Sequence, residues 1–387
     1  MANAGPDDGR HTTVLVLQGG GALGAYQGGA FEAMADTAWQ PDWVAGISIG
    51  AINAALIAGN PPERRRARLK TFWEQVTFGD PAAPWRAAAG PLRALANEWA
   101  AGWAMAFGLP GFFLPRTGFT GPFGAWVGDR SKPSLYDTEP LRRTLVDLID
   151  FDLINDGPMR LSVGVVDVAS GNFDYFDNRR QPIGPEHIMA SGALPPGFPA
   201  VTVDGRAYWD GGLVSNTPLR HVVETLDSPA ATIFQIDLFP ARGKVPTTLA
   251  EVAEREKDIR FSSRTRAVTD MLRERHELHR RIRELGARLK PGEREDPELR
   301  QWIADAAEAS VDLVHLIRRH QQWESQNKDY EFSRTSMLEH WRAGHADMTH
   351  SLHRLESVAH QRTTGGFRVF DLSDGHPAST DPRPQGE

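Results

Sequence analysis

A serine set between two glycines has the clearest chemical potential in this 387-residue chain. Gly46-Ile47-Ser48-Ile49-Gly50 has the Gly-x-Ser-x-Gly spacing of a nucleophile elbow, a strained strand-to-helix turn that exposes a serine hydroxyl. The small residues Gly46 and Gly50 allow such a turn, and a helix N-terminus at the serine would favour a developing alkoxide. A five-residue pattern this loose also occurs by chance, so Ser48 needs chemical partners.

A run of glycines lies one predicted strand earlier. Gly19, Gly20 and Gly21 follow the apolar run 14–17, and consecutive glycines present adjacent backbone N–H groups that can bind an oxyanion. Together with Gly24 they also satisfy the Gly-x-Gly-x-x-Gly spacing of a dinucleotide-binding loop. Parallel neighbouring strands would bring this loop and the serine to one edge of a sheet. The pair is therefore more specific than either motif alone.

A candidate base follows another predicted strand. Asp210 precedes Gly211 and Gly212, and an Asp-Gly-Gly sequence is by itself most often a surface turn. Beside Ser48, the same carboxylate could accept the serine proton. Its pKa in water, about 3.9, is too low for a good base, so partial burial must raise it.

These blocks resemble those of the patatin-like phospholipases. The resemblance rests on residues 18–29 (QGGGALGAYQGG), 46–50 (GISIG), 190–199 (ASGALPPGFP) and 210–218 (DGGLVSNTP), and it spans about 14–238. Many members carry Arg or Lys shortly after the triple glycine, where this chain has Leu23-Gly24.

The resemblance implies a role for each motif. Ser48 would be the nucleophile, Asp210 the base of a two-residue dyad, and the backbone of Gly19, Gly20 and Gly21 the oxyanion hole. The motif glycines that support them are Gly24, Gly46, Gly50, Gly211 and Gly212. The implied reaction is hydrolysis of a lipid or other ester, with no histidine, metal or cofactor.

Three other functions compete with this interpretation. An α/β-hydrolase triad would use His221 or His315, but in that fold the elbow usually follows several strands, whereas here it follows the second. A nucleotide-binding oxidoreductase would use Asp36 or Asp42 as its ribose ligand and would leave the serine motif unexplained. A catalytically silent scaffold would not need an intact serine–aspartate pair.

The order of the elements predicts an α/β fold. Apolar runs at 14–17, 43–45, 161–166 and 232–238 read as strands, and the first two are followed by helical segments. Such alternation predicts a mainly parallel central sheet flanked by helices, which matches the three-layer sandwich that the family resemblance implies.

Four regions are expected along the chain: a disordered lead-in (1–12), a catalytic domain (13–245), a helical extension with a possible final strand (246–372) and a disordered tail (373–387). In the extension, apolar residues spaced by three and four predict two antiparallel helices, over 268–289 and 303–317.

Residues 81–126 form an aromatic segment interrupted by Gly and Pro. It includes Trp85, Trp99, Trp103 and Trp126. We predict a cap or lid near the site, with Phe112 and Phe113 facing the lipid interface.

Composition excludes several partners. The formal net charge is −7 and no separate Lys/Arg block occurs, so nucleic acid is not an expected partner. Cysteine is absent, and the N-terminus lacks the apolar run of a secretory signal, so a cytoplasmic location is expected. No run of eighteen apolar residues occurs, so membrane contact would be peripheral. Nothing in the sequence sets the oligomeric state.

Overall fold

The structure is a computed structural model, and it describes residues 11–79, 91–116, 133–290, 292–319, 327–359 and 366–371. Residues 1–10 of the expected lead-in, the expected tail, and Trp85 and Trp126 of the aromatic segment lie outside these ranges. The first strand begins at His11, two residues before the expected start of the catalytic domain.

In these ranges, nine strands form one sheet. The strands of the chain are β1 (His11–Leu17), β2 (Trp43–Ile47), β3 (Leu114–Pro115), β4 (Tyr136–Asp137), β5 (Arg160–Asp167), β6 (Phe173–Asp177), β7 (Val201–Val203), β8 (Arg206–Asp210), β9 (Ala230–Asp237), β10 (Ser310–Ile317) and β11 (Phe367–Asp371). The order is β11-β10-β9-β1-β2-β5-β8-β7, with β6 also paired to β5, while β3 and β4 form a separate pair. The six strands from β11 to β5 are parallel, and β6, β7 and β8 are antiparallel additions.

Helices cover both faces of this sheet. They are α1 (Ala25–Met34), α2 (Ile49–Ala58), α3 (Pro62–Gln75), α4 (Pro91–Phe107), α5 (Glu139–Leu148), α6 (Phe151–Asp156), α7 (Pro185–Ser191), α8 (Leu219–Glu224), α9 (Leu249–Arg288), α10 (Pro297–Asp305) and α11 (Arg334–Ala359). Short 3₁₀ turns lie at Gly21–Gly24, Gly211–Leu213, Glu293–Glu295 and Lys328–Tyr330.

Strand β1 shows why the fold has three layers. Leu15 and Leu17 point into a core cluster with α1, α2 and α3, whereas Val14 and Val16 point into a second cluster with α8 and α9. Successive side chains of a strand face opposite sides, so an uninterrupted apolar run is needed where both sides are covered. The predicted α/β class with a mainly parallel sheet is confirmed.

The C-terminal region contains both confirmed and wrong predictions. The helix predicted over 268–289 is the second half of α9, and the possible final strand of the extension is β11. The helix predicted through 303–317 is wrong, because α10 ends at Asp305 and the chain continues as strand β10. Val311, Leu313 and Leu316 are buried in β10, and their spacing fits a strand covered on both faces as well as a helix.

Helix α11 packs against α1 at very short range. A Cβ at Gly29 would overlap the carbonyl oxygen of Trp341, and one at Gly344 would overlap that of Tyr26. The two helix backbones can approach this closely because each helix has a glycine, Gly29 or Gly344, at the point of contact. The C-terminal helix is thereby fixed to the helix that follows the glycine run.

Candidate active site

Ser48 occupies the turn between β2 and α2. Its backbone has φ 57° and ψ −126°, a strained conformation for a residue with a side chain. A Cβ at Gly46 would overlap the backbone of Gly50, and one at Gly50 would overlap the carbonyl of Leu17. The turn therefore requires glycine at both flanking positions, and it aims Ser48 away from the sheet at the start of a helix.

Ser191 stabilises this turn through two hydrogen bonds of its side chain. Its buried hydroxyl accepts a hydrogen bond from the Ser48 backbone N–H at 2.9 Å and donates to the Gly164 carbonyl oxygen at 2.7 Å. The Ser191 hydroxyl thus joins the turn to β5, the strand that pairs with β2. No role was predicted for Ser191, although it lies in the 190–199 segment that resembled the family.

Asp210, at the end of β8, lines the same cavity as Ser48, and the Ser48 hydroxyl is close enough to influence the pKa of its carboxyl group. Its side chain also accepts the Gly212 N–H at 2.7 Å, and the residue is only 2% exposed. Desolvation by burial raises its pKa to about 6, although the nearby Ser48 hydroxyl and the Gly212 N–H favour the charged carboxylate and act in the opposite direction. A carboxyl group with a pKa in this range can accept a proton and release it again near neutral pH.

The three glycines have different roles in the loop. The N–H of Gly19 donates to the Asn216 carbonyl oxygen at 3.2 Å, and the Asn216 side-chain amide donates back to the Gly19 carbonyl at 2.9 Å. Gly20 and Gly21 open a 3₁₀ turn, and at that position backbone N–H groups have no partner within the turn. Gly21 has φ 55°, which favours glycine.

A buried glutamine holds this loop in place, and sequence reasoning assigned it no role. The Gln18 side-chain oxygen accepts the Leu238 N–H at 2.6 Å and the Phe239 N–H at 3.2 Å. Its amide nitrogen donates to the hydroxyls of Thr217 at 3.1 Å and Thr265 at 3.3 Å. The network joins the glycine loop to β9 and to helix α9.

The C-terminal region also contributes to the site. Asp329, Tyr330 and Phe332 line the same cavity as Ser48 and Asp210, and a Cβ on Gly21 would overlap the Asp329 carbonyl oxygen. The preceding Lys328 is buried, and its ammonium lies 3.1 Å from Glu254 and 2.8 Å from Asp258. No motif in the sequence signalled this approach, because it depends on contacts between distant segments.

The cavity is small and largely apolar. Its volume is about 110 Å³, and it places the serine hydroxyl and the glycine loop at the end of a space walled by aliphatic and aromatic side chains. Those side chains are Ile49, Ile52, Met105, Phe112, Phe113, Tyr136, Leu194, Phe198, Phe239, Phe261 and Phe332. Such a space suits a hydrocarbon chain next to a reacting polar group.

Two aromatic residues do not lie where the sequence suggested. Phe112 and Phe113 are 7% and 3% exposed, and they pack on Phe198 within the cavity wall instead of facing solvent. The expectation that they form a lipid-facing surface is wrong, because the loop after α4 folds inward over the site.

The residues of the competing functions lie elsewhere. His221 stacks on Tyr175 with ring centroids 3.9 Å apart, and its Nε2 is 3.6 Å from Asp177. His315 lies on β10 and faces another cavity. Among the described residues, no histidine lines the cavity that contains Ser48.

The aspartates proposed as ribose ligands are also engaged away from the glycine loop. Asp42 accepts the Thr13 N–H at 2.8 Å, and Asp36 forms a surface ion pair with Arg66.

A parallel sheet with a serine, a buried carboxylate and a glycine loop at one edge defines an α/β protein equipped for ester chemistry. A family model described as patatin-like phospholipase matches residues 15–223, more than half of the chain, and one described as patatin phospholipase matches 259–364. The chain belongs to the patatin-like phospholipase family, which confirms the resemblance seen in the sequence.

Comparisons with solved structures and with curated proteins add no further functional information. The crystal structure of VipD from Legionella pneumophila is similar to this chain at 13% identity and a TM-score of 0.34, covering 89% of this chain and 67% of VipD. The search of curated proteins found no match.

Family membership supports hydrolysis of lipid esters, with lipids as substrates. Within the described residues, no helix is long and apolar enough to cross a membrane.

Proposed function

We propose that this protein hydrolyses carboxylic ester bonds of lipids with a Ser48–Asp210 dyad and an acyl-enzyme intermediate. The observation that carries the proposal is the position of Ser48 beside the buried Asp210 in one cavity, with the pKa of Asp210 raised to about 6. In the first step Asp210 takes the hydroxyl proton while Ser48 Oγ attacks the ester carbonyl carbon. The same proton then goes to the departing alcohol as the C–O bond breaks.

The second half of the reaction reverses these roles. Asp210 takes a proton from water, the resulting hydroxide attacks the acyl carbonyl, and Ser48 recovers its proton as the fatty acid leaves. In both halves the carbonyl oxygen becomes negatively charged. We assign its stabilisation to the N–H groups of Gly20 and Gly21, because the N–H of Gly19 is already bonded to Asn216.

A fluorophosphonate probe tests the dyad directly. We expect one probe molecule per chain, attached to the Ser48 peptide in a mass spectrum of the digested protein. The labelling rate should fall as pH drops through about 6, because protonated Asp210 cannot accept the hydroxyl proton.

The matching control uses a histidine outside both the site and its supporting network. His221→Ala should label at the wild-type rate, since His221 does not line the cavity with Ser48. Labelling at a different serine, or loss of labelling in a folded His221→Ala protein, would contradict the dyad.

We also propose peripheral contact of this enzyme with lipid aggregates through helix α4. Trp99, Trp103 and Phe107 recur every four residues, and Trp99 and Phe107 are 60% and 59% exposed. Their rings lie in a row, with centroids 5.3 Å and 4.2 Å apart. Met105 of the same helix lines the cavity, so the row lies beside the site. Exposed aromatic rings insert at the headgroup level of a bilayer.

Trp103→Ser/Phe107→Ser should therefore reduce vesicle binding and hydrolysis of aggregated lipid severalfold, because the variant loses rings that would insert at the interface. Hydrolysis of a short monomeric ester should stay near the wild-type rate. Sedimentation with phospholipid vesicles and paired rate measurements check this result.

Two further variants serve as controls. Trp302→Ser removes an equally exposed ring, 58% exposed on α10, and should change neither rate. Phe112→Ser should lower the melting temperature and slow both substrates, because that ring is buried in the cavity wall. Equal slowing of both substrates by the α4 variant would show that its rings are not an interface.

A further inference from the structure

A second and more polar cavity lies at the same edge of the sheet. Its volume is about 480 Å³, and it opens near the carboxyl ends of three parallel strands, beside Asp237 of β9, His315 of β10 and Asp371 of β11. Helix α9 forms another wall through Ser262 and Thr265. Ligands of open α/β sheets bind outside the carboxyl ends of the strands, so this position is that of a binding site.

The wall of this second cavity is rich in positive charge. The arginines that line it are Arg242, Arg266, Arg318 and Arg319. Two carboxyl groups, Asp237 and Asp371, also line it. Asp237 already accepts the Gln235 amide at 2.9 and 3.1 Å, and desolvation by burial raises its pKa, which favours its neutral form. The balance of charge therefore favours an anion.

Two buried polar atoms in the wall have no hydrogen-bond partner among the described residues. They are the hydroxyl of Ser262, a residue only 4% exposed, and Nε2 of His315. A serine within a helix can satisfy its hydroxyl on the carbonyl four residues earlier, but Ser262 does not. An unsatisfied buried polar group costs roughly 1–3 kcal/mol, so each of these two side chains beside the cavity would gain from a polar partner.

We propose that this second cavity binds the phosphate group of a phosphate ester. Arginine forks match phosphate oxygens in geometry and charge, and the polar side chains of Ser262 and His315 line the same cavity. The phosphate could come from the headgroup of a phospholipid whose ester lies at Ser48, an origin that rests on the proposed function, or from a free phosphate ester.

The two cavities share structural elements. Phe239 lines both of them, and Thr265 of the second cavity accepts a hydrogen bond from Gln18, which precedes the glycine loop. The Gln18 side chain also accepts the Phe239 N–H. A phosphate bound here would therefore contact the network that positions the proposed oxyanion donors.

Calorimetric titration of the full chain with inorganic phosphate and with glycerol phosphate tests the site. The wild-type protein should bind both, and Arg242→Gln/Arg266→Gln should weaken binding by about tenfold or more, because each arginine supplies charge-assisted hydrogen bonds. Both arginines are exposed, so their loss should leave the fold intact. His315→Gln tests the buried part of the site and should also weaken binding.

Arg260→Gln is the matched control. Arg260 lies on α9 like Arg266, but it pairs with Glu256 on the surface and does not line the cavity. Its variant should bind phosphate as the wild type does. Absence of phosphate binding in the wild type, or equal affinity in the wild type and the double arginine variant, would overturn the proposal.

Rates on two lipids with the same acyl chains, a phospholipid and a diacylglycerol, distinguish the two origins. Selective slowing of the phospholipid in the double arginine variant would identify the headgroup as the ligand. A change of the diacylglycerol rate by added glycerol phosphate, abolished in that variant, would identify a free phosphate ester. The titration involves no turnover and can be repeated on Ser48→Ala, so failure of the dyad and failure of the phosphate site are distinguishable.

Discussion

Ser48→Ala and Asp210→Asn are each expected to lower ester hydrolysis by roughly 10³-fold or more, the scale of loss when a nucleophile–base pair is broken. Ser48→Ala removes the attacking oxygen. Asp210→Asn keeps the shape of the side chain but cannot accept the serine proton. Initial rates on a short soluble ester measure both losses without any effect of lipid binding.

Stability separates a catalytic role of Asp210 from a structural one. Burial raises the pKa of Asp210 in the folded chain, so its ionisation opposes folding as pH rises from about 4 through 6. Asparagine does not ionise, so Asp210→Asn should be more stable than wild type at pH 8, by up to roughly 3 kcal/mol. The difference should be smaller at pH 5.

Chemical denaturation at the two pH values measures this difference in the free energy of unfolding. A variant that is inactive but more stable at pH 8 fits a base held in an unfavourable environment for its function. Activity within tenfold of wild type in either Ser48→Ala or Asp210→Asn would remove the dyad.

Gly21→Ala is expected to lower kcat by about 10²–10³-fold, the effect of losing one oxyanion donor. The residue has φ 55°, and an added Cβ would overlap the Asp329 carbonyl, so the loop must shift away from the reacting oxygen. Gly20→Ala has no such strain, and its Cβ would lie 2.7 Å from a movable Leu238 methyl, so a smaller loss is expected. Steady-state rates and melting temperatures should be measured together.

Gly171→Ala is the control for backbone strain. Gly171 has φ 70°, but nothing lies within 4 Å of an added Cβ. It should therefore lose stability by about 1–2 kcal/mol and keep its kcat. If Gly21→Ala behaved like Gly171→Ala, with lower stability and normal turnover, the oxyanion donors would have to be sought elsewhere.

The sequence was most informative where function depends on neighbours in the chain. An elbow needs glycines two residues on either side of a serine, and a nest of N–H groups needs consecutive glycines, so both can be read from short motifs. The family and the α/β class follow from these motifs and from the strand order. Helix and strand were confused at 310–317, because a strand buried on both faces is apolar at many positions and also fits a helical spacing.

The sequence by itself determined the family, the fold class and the candidate residues Ser48 and Asp210, because motifs and strand patterns are local. Only the tertiary structure decided that Phe112 faces inward while Phe107 faces solvent, since both belong to one aromatic segment. It also decided that Asp329 and its neighbours line the cavity and that a second, arginine-lined cavity lies beside it. These features depend on packing between segments far apart in the chain, which local residue preferences do not encode.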